Sequence, residues 1–245
     1  ELNYALRASS KDEFVRLLTA DLPDRPEYFA QDAEINRTGA IPLDFLLPMQ
    51  AMTSDQVLDR QRAGDVLLDT RPATEFAAGH IPGAVNIPLA GQFAGSAGAL
   101  LGLDHDVIVV AEDPNAVEES RTRLARVGFE RVAGYLEGGM TRWAGDQKPT
   151  VQIMQITAAE LHRDLVEEPR SIQTVDVRRK AEWYQGHIPG ALHKPPDRVA
   201  KMLGDLDSTK PVVVHCKGGA RSAIACSLIQ RAGFENVTNL IGGLD

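Results

Sequence analysis

The chain repeats itself with a period of just over a hundred residues, and this repeat constrains the fold more than any other feature. Residues 69–84 carry Asp-x-Arg, then Glu, then Gly-His-Ile-Pro-Gly-Ala, and the same pattern returns at 176–191. A Gly-Phe pair and a Gly-Gly pair, at 128–139 in the first copy, return at 233–243. A period of this length matches a domain and is too long for a solenoid unit. The sequence therefore predicts two homologous domains.

Strands and helices alternate within each predicted domain. Short apolar runs rich in β-branched residues, at 66–68 and 107–110 in the first domain and at 174–177 and 212–214 in the second, are typical of strands buried in a parallel sheet. Helical patterns lie between them, so right-handed crossovers would cover both faces of each sheet with helices. We therefore predict an α/β fold with two mainly parallel sheets.

The domain limits follow from helix-start signals. Thr53 and Thr157 are each followed three residues later by Gln or Glu, which is the capping-box pattern of a first helix. We place the first domain at 53–148 and the second at 152–245. Residues 1–52 match neither repeat, and their pattern indicates a short, mostly helical segment.

Cys216 is the residue best placed for covalent chemistry. It comes just after the strand at 212–214 and ahead of a helix-like stretch, so it would lie at the carboxyl end of a strand, where open α/β sheets bind ligands. Gly218 and Gly219 permit a left-handed backbone that turns N–H groups inward, and the helix N-terminus adds its positive dipole end. Such surroundings favour the thiolate over the thiol. A buried structural cysteine is the alternative, but it would leave the two glycines and Arg221 unexplained.

The rest of the loop would bind the substrate. We predict that Cys216 and Arg221 are catalytic, and that the substrate-binding residues are Lys217, Gly218, Gly219, Ala220 and Ser222. For Ser222, capping the helix is the alternative to a hydrogen bond with the sulfur.

Composition excludes several functional classes. The net charge of −8 argues against a nucleic-acid surface, which needs a basic face. No apolar run approaches the ~18 residues of a membrane span. Two cysteines form no disulfide framework, which is typical of a reducing cytoplasm. Between residues 176 and 221, nine Lys or Arg stand against five Asp or Glu, so this region would attract a small anionic substrate.

Together these motifs resemble the rhodanese family of sulfurtransferases, over residues 53–245 and in both repeats. The resemblance rests on Asp-x-Arg, Glu, Gly-His-Ile-Pro-Gly-Ala, Val-Val-x-Cys-x-x-Gly-x-Arg-Ser, Gly-Phe and Gly-Gly, in that order. It implies two rhodanese-like domains and a loop cysteine, here Cys216, that takes up a sulfane sulfur as a persulfide and passes it to a nucleophilic acceptor. No cofactor is expected.

The residues lead to the same expectation. A Cys216 thiolate would attack the outer sulfur of thiosulfate or of a low-molecular-weight persulfide, while Lys217 and Arg221 offset the charge on the leaving group. A thiol or cyanide would then accept the sulfur. Four residues separate Cys216 from Arg221, whereas cysteine phosphatases have five, so the smaller ring suits a sulfur atom better than a phosphate. A non-catalytic binding or persulfide-sensing module of a larger sulfur-metabolism protein is the alternative function.

The first domain departs from this pattern at its loop. Ala111 and Ala116 stand where the second domain has Cys216 and Arg221, and the two glycines are missing. Glu112 and its acidic neighbours would repel an anionic donor. We predict that this domain is inactive and serves packing, positioning or partner docking.

Residues 1–52 resemble the carboxyl-terminal tail of metallo-β-lactamase-fold proteins. The resemblance rests on a helix capped by Ser10 and Glu13, a Pro-Glu-Tyr-Phe stretch at 26–29, and an Asn-Arg-x-Gly turn at 36–39. It implies a parent protein related to the persulfide dioxygenases that are fused to rhodanese domains. The ligand cluster of that fold, His-x-His-x-Asp-His, is absent from the sequence, so we expect no metal site here.

The chain also shows features expected of a fragment. It begins at Glu1 rather than Met, and the second repeat stops before the counterpart of Trp143, so part of a closing helix would be missing.

The remaining histidines and cysteine have structural interpretations. His215 precedes Cys216 on a buried strand and should point away from it, and His187 belongs to the repeated turn motif. Cys226 falls in an apolar helical pattern, which predicts core packing rather than a second reactive thiol.

Overall fold

The computed structural model describes residues 7–19, 28–39, 48–102, 105–129, 131–167, 171–195 and 203–244. In these ranges the chain forms two helices followed by two five-stranded parallel sheets, one sheet in each repeat. The two leading helices are α1 (Lys11–Thr19) and α2 (Tyr28–Thr38).

The first domain alternates strands and helices. Its elements are β1 (Gln50–Met52), α3 (Ser54–Arg62), β2 (Val66–Asp69), α4 (Ala73–Ala78), β3 (Val85–Asn86), α5 (Phe93–Leu100), β4 (Val107–Val110), α6 (Pro114–Ala125), β5 (Val132–Leu136) and α7 (Gly139–Gly145). The strands lie in the order β1-β5-β4-β2-β3, and every neighbouring pair is parallel.

The second domain repeats this arrangement. Its elements are β6 (Met154–Ile156), α8 (Ala158–His162) with a π-helical turn (Arg163–Glu167), β7 (Gln173–Asp176), α9 (Lys180–Tyr184), β8 (Leu192–His193), a 3₁₀ turn (Leu203–Asp205), β9 (Val212–His215), α10 (Ala220–Arg231) and β10 (Val237–Leu240). The strand order β6-β10-β9-β7-β8 corresponds strand for strand to that of the first domain, and all pairs are again parallel.

The predicted α/β fold is therefore confirmed, and so are both predicted capping boxes. The Thr53 side chain accepts the N–H of Gln56, and the Thr157 side chain accepts the N–H of Glu160. The sequence did not predict the four edge strands, β1 and β3 of the first sheet and β6 and β8 of the second. Two of the three residues in β1 and in β6 are exposed, and β3 and β8 have only two residues each, so none of them shows the apolar pattern by which a strand is recognised.

Helix α10 links the two domains through an apolar interface. The largest core cluster includes Leu67 and Phe76 from the first domain and Val214 and Cys226 from the second. On α10, the partly buried Leu228 packs against this cluster and also against a second one built from the first domain. Because apolar burial drives such packing, the first domain forms part of the environment of α10.

The segment before the first sheet differs in part from expectation. The Ser10 hydroxyl accepts the N–H of Glu13 at 3.1 Å, as predicted. Asn36 and Arg37 were predicted to lie in a turn, but they belong to α2, and the left-handed residue Gly39 follows directly after this helix. The Pro-rich stretch at 20–27 lies outside the described residues.

Within the described ranges, none of the helices combines the length and the apolar character needed to cross a lipid bilayer.

Candidate active site

Cys216 directly follows β9, at the carboxyl end of the central strand of the second sheet. Its side chain is 1% exposed. The Gly219 backbone N–H donates to Sγ at 3.1 Å, and the Ser222 hydroxyl lies 3.5 Å from the same atom. The sulfur is thus held at the N-terminus of α10, where backbone N–H groups and the helix dipole favour negative charge.

The loop from Lys217 to Ser222 wraps around this sulfur. Gly219 has φ 90°, a left-handed conformation, and it caps α10, which begins at Ala220. Gly218 was also predicted to be left-handed, but it is not among the residues with positive φ, and a Cβ there would meet nothing within 4 Å. One glycine therefore makes the turn. Ser222 is fully buried, and its hydroxyl also contacts the Gly219 carbonyl at 3.0 Å.

The Gly-Gly pair after β10 lets the backbone pack closely against the backbone of the Cys216 loop. A Cβ on Gly243 would lie 2.1 Å from the Lys217 carbonyl oxygen and 2.5 Å from that of Cys216. The next residue, Leu244, donates its N–H to the Cys216 carbonyl at 2.9 Å. Gly243, the second glycine of the repeated pair, is therefore required where the backbone approaches the loop closely.

Arg221 is held by a carboxylate that the sequence did not assign to the site. Its Nη1 and Nη2 donate to the two carboxylate oxygens of Glu182 at 2.6 and 2.7 Å, and the Arg179 backbone N–H donates to the same carboxylate. Hydrogen bonding to Arg221 lowers the pKa of Glu182 to about 2. The pKa of Arg221 is raised, chiefly by Glu182 and to a smaller extent by Cys216. The guanidinium thus lies near the sulfur with its charge largely balanced.

Three further cations of this region are paired as well. Among the described residues, the ion pairs here include Arg178 with Asp176, Lys194 with Asp205, Lys210 with Asp207, and Arg221 with Glu182. Arg198 and Lys201 lie outside the described residues, and Lys217 is exposed. The positive field around Cys216 is therefore weaker than the sequence count of charges predicts.

The repeated Asp-x-Arg motif connects a strand end to the Gly-His-Ile-Pro-Gly turn. Asp176 accepts the backbone N–H of Arg178 at 2.9 Å and pairs with its guanidinium, which also donates to the Gly186 carbonyl at 2.6 Å. In the turn, His187 stacks on Trp183 with ring centroids 3.6 Å apart. The first domain has the same contacts at the corresponding residues, which supports a structural role for this motif.

His215 and Cys226 occupy the buried positions predicted for them. His215 is fully buried, and its Nε2 lies 3.8 Å from the Asp176 carboxylate. Burial lowers the pKa of His215, although Asp176 opposes this. Burial raises the pKa of Cys226, which is fully buried within α10.

The first domain fills the corresponding position differently. Ala111 follows β4 in the place of Cys216, and α6 begins after Asp113. One carboxylate oxygen of Asp113 accepts the N–H groups of Asn115 and Ala116 at 2.8 and 3.0 Å. The helix N-terminus that would hold a sulfur is therefore already capped by a carboxylate.

The described residues contain no group of three or more His, Cys, Asp or Glu side chains placed to hold a metal ion.

Comparison with known proteins assigns a family to both repeats. The family model of the rhodanese-like domain matches residues 53–146 and 157–245. A sulfurtransferase of Allochromatium vinosum is 35% identical over 77 residues, which cover 31% of this chain and 72% of that protein. The thiosulfate sulfurtransferase GlpE of Shewanella oneidensis is 36% identical over 76 residues, which cover 31% of this chain and 75% of that protein. Two further relatives, from Bacillus subtilis and Mycobacterium tuberculosis, are 31% and 29% identical, and the chain covers only 46% and 34% of their lengths.

Solved structures give similar matches. A rhodanese-like domain protein from Staphylococcus aureus is 32% identical, with 37% of this chain and 87% of that chain covered and a TM-score of 0.35. A thiosulfate sulfurtransferase from Pseudomonas aeruginosa is 22% identical, with 80% of this chain and 41% of that chain covered and a TM-score of 0.38.

Proposed function

This chain belongs to the rhodanese-like family, and from that premise we propose that it is a sulfurtransferase in which Cys216 carries the transferred sulfur as a persulfide. The observation that supports this most directly is the hydrogen bond from the Gly219 N–H to Sγ, at the N-terminus of α10. A donor in this position stabilises a thiolate, and it would equally stabilise a persulfide anion formed on it.

The first half-reaction loads the cysteine. The Cys216 thiolate attacks the outer sulfur of thiosulfate, a bond forms between Sγ and that sulfur, and sulfite leaves with the electron pair of the broken S–S bond. A low-molecular-weight persulfide donor reacts in the same way and leaves as its thiolate. Arg221 and Lys217 offset the negative charge near Sγ during this step.

The second half-reaction transfers the sulfur from Cys216 to the acceptor. An acceptor thiolate or cyanide attacks the outer sulfur of the persulfide, the bond to Sγ breaks, and its electron pair returns to Cys216 as the thiolate. Neither half-reaction needs an oxidant or a reductant. Ser222, whose hydroxyl lies 3.5 Å from Sγ, supports the sulfur in both states.

Intact mass spectrometry of the full chain tests the proposal. After exposure to thiosulfate or glutathione persulfide, the wild-type protein should gain one sulfur that a thiol removes, and Cys216→Ser should gain none. Cys226→Ala is the matched control and should load like the wild type, because Cys226 is fully buried. Absence of labile sulfur on the wild type, or its presence on Cys216→Ser, would refute the proposal.

The first domain has no catalytic part in this scheme. Its loop has Ala111 in place of the nucleophile, and Asp113 already caps the helix N-terminus. The Cys216→Ser protein keeps the first domain unaltered but has lost the proposed nucleophile of the second. Because the first domain has no nucleophile of its own, this variant should produce no thiocyanate from thiosulfate and cyanide. Turnover by that variant would show that the first domain is active.

The leading helices also support a proposal about the parent protein. Helix α1 has no buried residue, and Phe14, Val15 and Leu18 are 37%, 47% and 41% exposed. An apolar face of this kind suits a helix that packs against a further domain, as the resemblance to metallo-β-lactamase-fold tails implies. The sequence of the complete gene tests this: an upstream metallo-β-lactamase-fold domain supports the proposal, and its absence contradicts it.

A further inference from the structure

Glu182 places a negative charge beside the loop that is proposed to react with the sulfur donor. Its two carboxylate oxygens accept hydrogen bonds from Nη1 and Nη2 of Arg221 at 2.6 and 2.7 Å. The Arg221 side chain also interacts with Cys216, since the pKa of Arg221 is raised first by Glu182 and then, more weakly, by Cys216. The guanidinium therefore lies close enough to the carboxylate and to the sulfur to interact with both.

The Glu182 carboxylate is fixed by the backbone as well as by the arginine. The N–H of Arg179, the residue that precedes α9, donates to Oε2 of Glu182 at 2.9 Å, and Glu182 itself lies in the first turn of α9. The same Oε2 accepts Nη1 of Arg221, so it is held from two sides. A donor that approaches Arg221 therefore meets the carboxylate in place, and its negative charge acts on that donor.

Partial burial makes this negative charge effective at short range. The side chains of Glu182 and Arg221 are 23% and 31% exposed, so solvent and salt screen their charges only in part. Four charges lie on the loop and its partner carboxylate: those of a Cys216 thiolate, Glu182, Lys217 and Arg221. These charges cancel, whereas the same loop without Glu182 would carry one net positive charge.

The first domain adds no cation on its side of the loop. A pocket of about 600 Å³ lies between the loop at 218–220 and α4, and its walls also include the segment from Gln152 to Gln155. The described residues that line this pocket include no Lys, Arg or His. The charge of Glu182 is therefore not offset from this direction.

We propose that Glu182 is a specificity-determining residue, which makes Cys216 favour sulfur donors that carry less negative charge than thiosulfate, such as a low-molecular-weight persulfide. This inference rests on the proposed function, because it concerns the donor that loads the same cysteine. A dianion gains no net attraction from a loop whose charges cancel, and each further negative charge on a donor adds repulsion from Glu182. Glu182 acts on the donor through its charge and through Arg221, without taking part in bond formation.

A protonated persulfide, R–S–SH, has no charge at the sulfur that is attacked. The Cys216 thiolate bonds to the outer sulfur, the S–S bond of the donor breaks, and R–S⁻ leaves with its electron pair. The proton stays on the transferred sulfur. This step adds no second negative charge near Glu182 until the leaving thiolate departs, whereas thiosulfate brings two charges at the outset.

Two donors that differ by one charge test the proposal. Thiosulfate is a dianion, and methanethiosulfonate has the same outer sulfur but a methyl group in place of one oxygen, so it is a monoanion. Attack by Cys216 releases sulfite from the first and methanesulfinate from the second. Intact mass of the full chain gives the second-order rate constant of loading for each donor. The ratio of the two constants is compared between variants, which cancels the intrinsic reactivity of the donors.

Removal of the carboxylate charge should change this ratio. Glu182→Gln should raise the rate constant for thiosulfate, relative to methanethiosulfonate, by about tenfold, because one unit of repulsion is lost. Glu75→Gln, at the same motif position of the first domain, is the matched control and should leave the ratio unchanged. Glu182→Asp keeps the charge on a shorter side chain, so its ratio should stay near that of the wild type even where both of its rates fall. This variant separates the effect of charge from that of packing.

Ionic strength provides a test that needs no substitution. A loop whose charges cancel, in a chain of net charge −8, exerts no attraction on thiosulfate that salt could screen. The rate constant for loading of the wild type by thiosulfate should therefore not fall as potassium chloride is added. A loop with a net positive charge would lose rate under the same conditions.

The outcomes separate this inference from the proposed function. A wild-type protein that gains no sulfur from either donor overturns both. A Glu182→Gln protein that loads Cys216 with the donor ratio of the wild type overturns only the donor proposal, and so does wild-type loading by thiosulfate that falls steeply with added salt.

Discussion

The sulfur of Cys216 and the carboxylate of Asp113 perform the same local task in the two domains. The Cys216 sulfur accepts one backbone N–H and the Asp113 carboxylate accepts two, in each case at the N-terminus of the helix that follows the central strand. A carboxylate there is a stable cap, whereas the sulfur there is the atom that we propose to carry the transferred sulfur. At the scale of single residues, the difference between the two loops is therefore a difference in what fills the helix N-terminus.

Glu182 gives a residue-scale prediction that depends on pH. Its pKa is lowered to about 2 through hydrogen bonding to Arg221, so the pair stabilises the folded protein above the usual carboxyl pKa of 4.5. This stabilisation is lost as the pH falls towards about 2. Glu182→Gln should lower the Tm at neutral pH by about 2–4 °C, a modest effect because the pair is partly exposed.

Thermal unfolding measured from pH 7 down to pH 2 checks this. The difference in Tm between the wild type and Glu182→Gln should shrink on acidification below pH 4.5. Glu75→Gln is the matched control, since Glu75 occupies the same motif position in the first domain but Ala116 stands there in place of the arginine. A difference that does not vary with pH would contradict the assigned ion pair.

At the scale of secondary-structure elements, the site depends on how closely the turn after β10 approaches the loop after β9. Gly243 touches the carbonyl groups of Cys216 and Lys217, and Gly139 touches the carbonyl of Ala111 in the same way in the first domain. The contact occurs in both domains, with and without a cysteine. The contact is therefore a property of the fold. In the second domain the same contact supports the loop that holds Cys216.

Substitution of Gly243 should disturb this support. The Cβ of Gly243→Ala would lie 2.1 Å from the Lys217 carbonyl oxygen, so the loop must shift, and we expect both a lower stability and a loss of sulfur loading at Cys216. Gly233→Ala is the matched control: Gly233 also has positive φ, at 96°, but a Cβ there meets nothing within 4 Å.

Chemical denaturation and intact mass measure the two effects. Gly243→Ala should cost roughly 1–3 kcal/mol more than Gly233→Ala, and the control should load sulfur normally. Equal stability and equal loading of the two variants would show that the close approach does not support the loop.

At the scale of the whole molecule, helix α10 is held by both domains. The Ser227 hydroxyl accepts the backbone N–H of Asn86 at 3.0 Å, and the Gln230 side chain contacts the His80 ring at 2.8 Å. These contacts belong to the helix whose N-terminus holds the Cys216 sulfur. The first domain, although it lacks a nucleophile, therefore positions the helix on which the proposed chemistry depends.

Ser227→Ala tests this positioning. The variant would leave the buried Asn86 N–H without its acceptor, which costs about 1–3 kcal/mol, and we expect the free energy of unfolding of the whole chain to fall by that amount. Ser208→Ala, at an exposed serine of the second domain, should have almost no effect. Equilibrium unfolding in urea measures both, and a neutral Ser227→Ala would contradict the role of this contact.

Part of this architecture could be predicted from local patterns. The buried strand before Cys216 and the capping boxes at Thr53 and Thr157 each involve neighbouring residues, and the repeat is built from such short motifs; all of them are found in the structure. Short-range signals of this kind are strong because the backbone geometry they need is local. The predictions failed where the local signal was weak. The exposed edge strands β1 and β6 have no apolar pattern and were missed, and Asn36 and Arg37, predicted to lie in a turn, belong to a helix.

By itself, the sequence determined the α/β class, the domain repeat, the position of Cys216 at a strand end and the lack of a counterpart in the first domain. Only the tertiary structure decided that Glu182 balances Arg221, 39 residues away, and that α4 of the first domain forms a wall beside the loop of the second. The physical reason is distance along the chain. Propensities, caps and turns act between near neighbours, whereas ion pairs and pocket walls join residues that meet only when the sheets and helices have packed together.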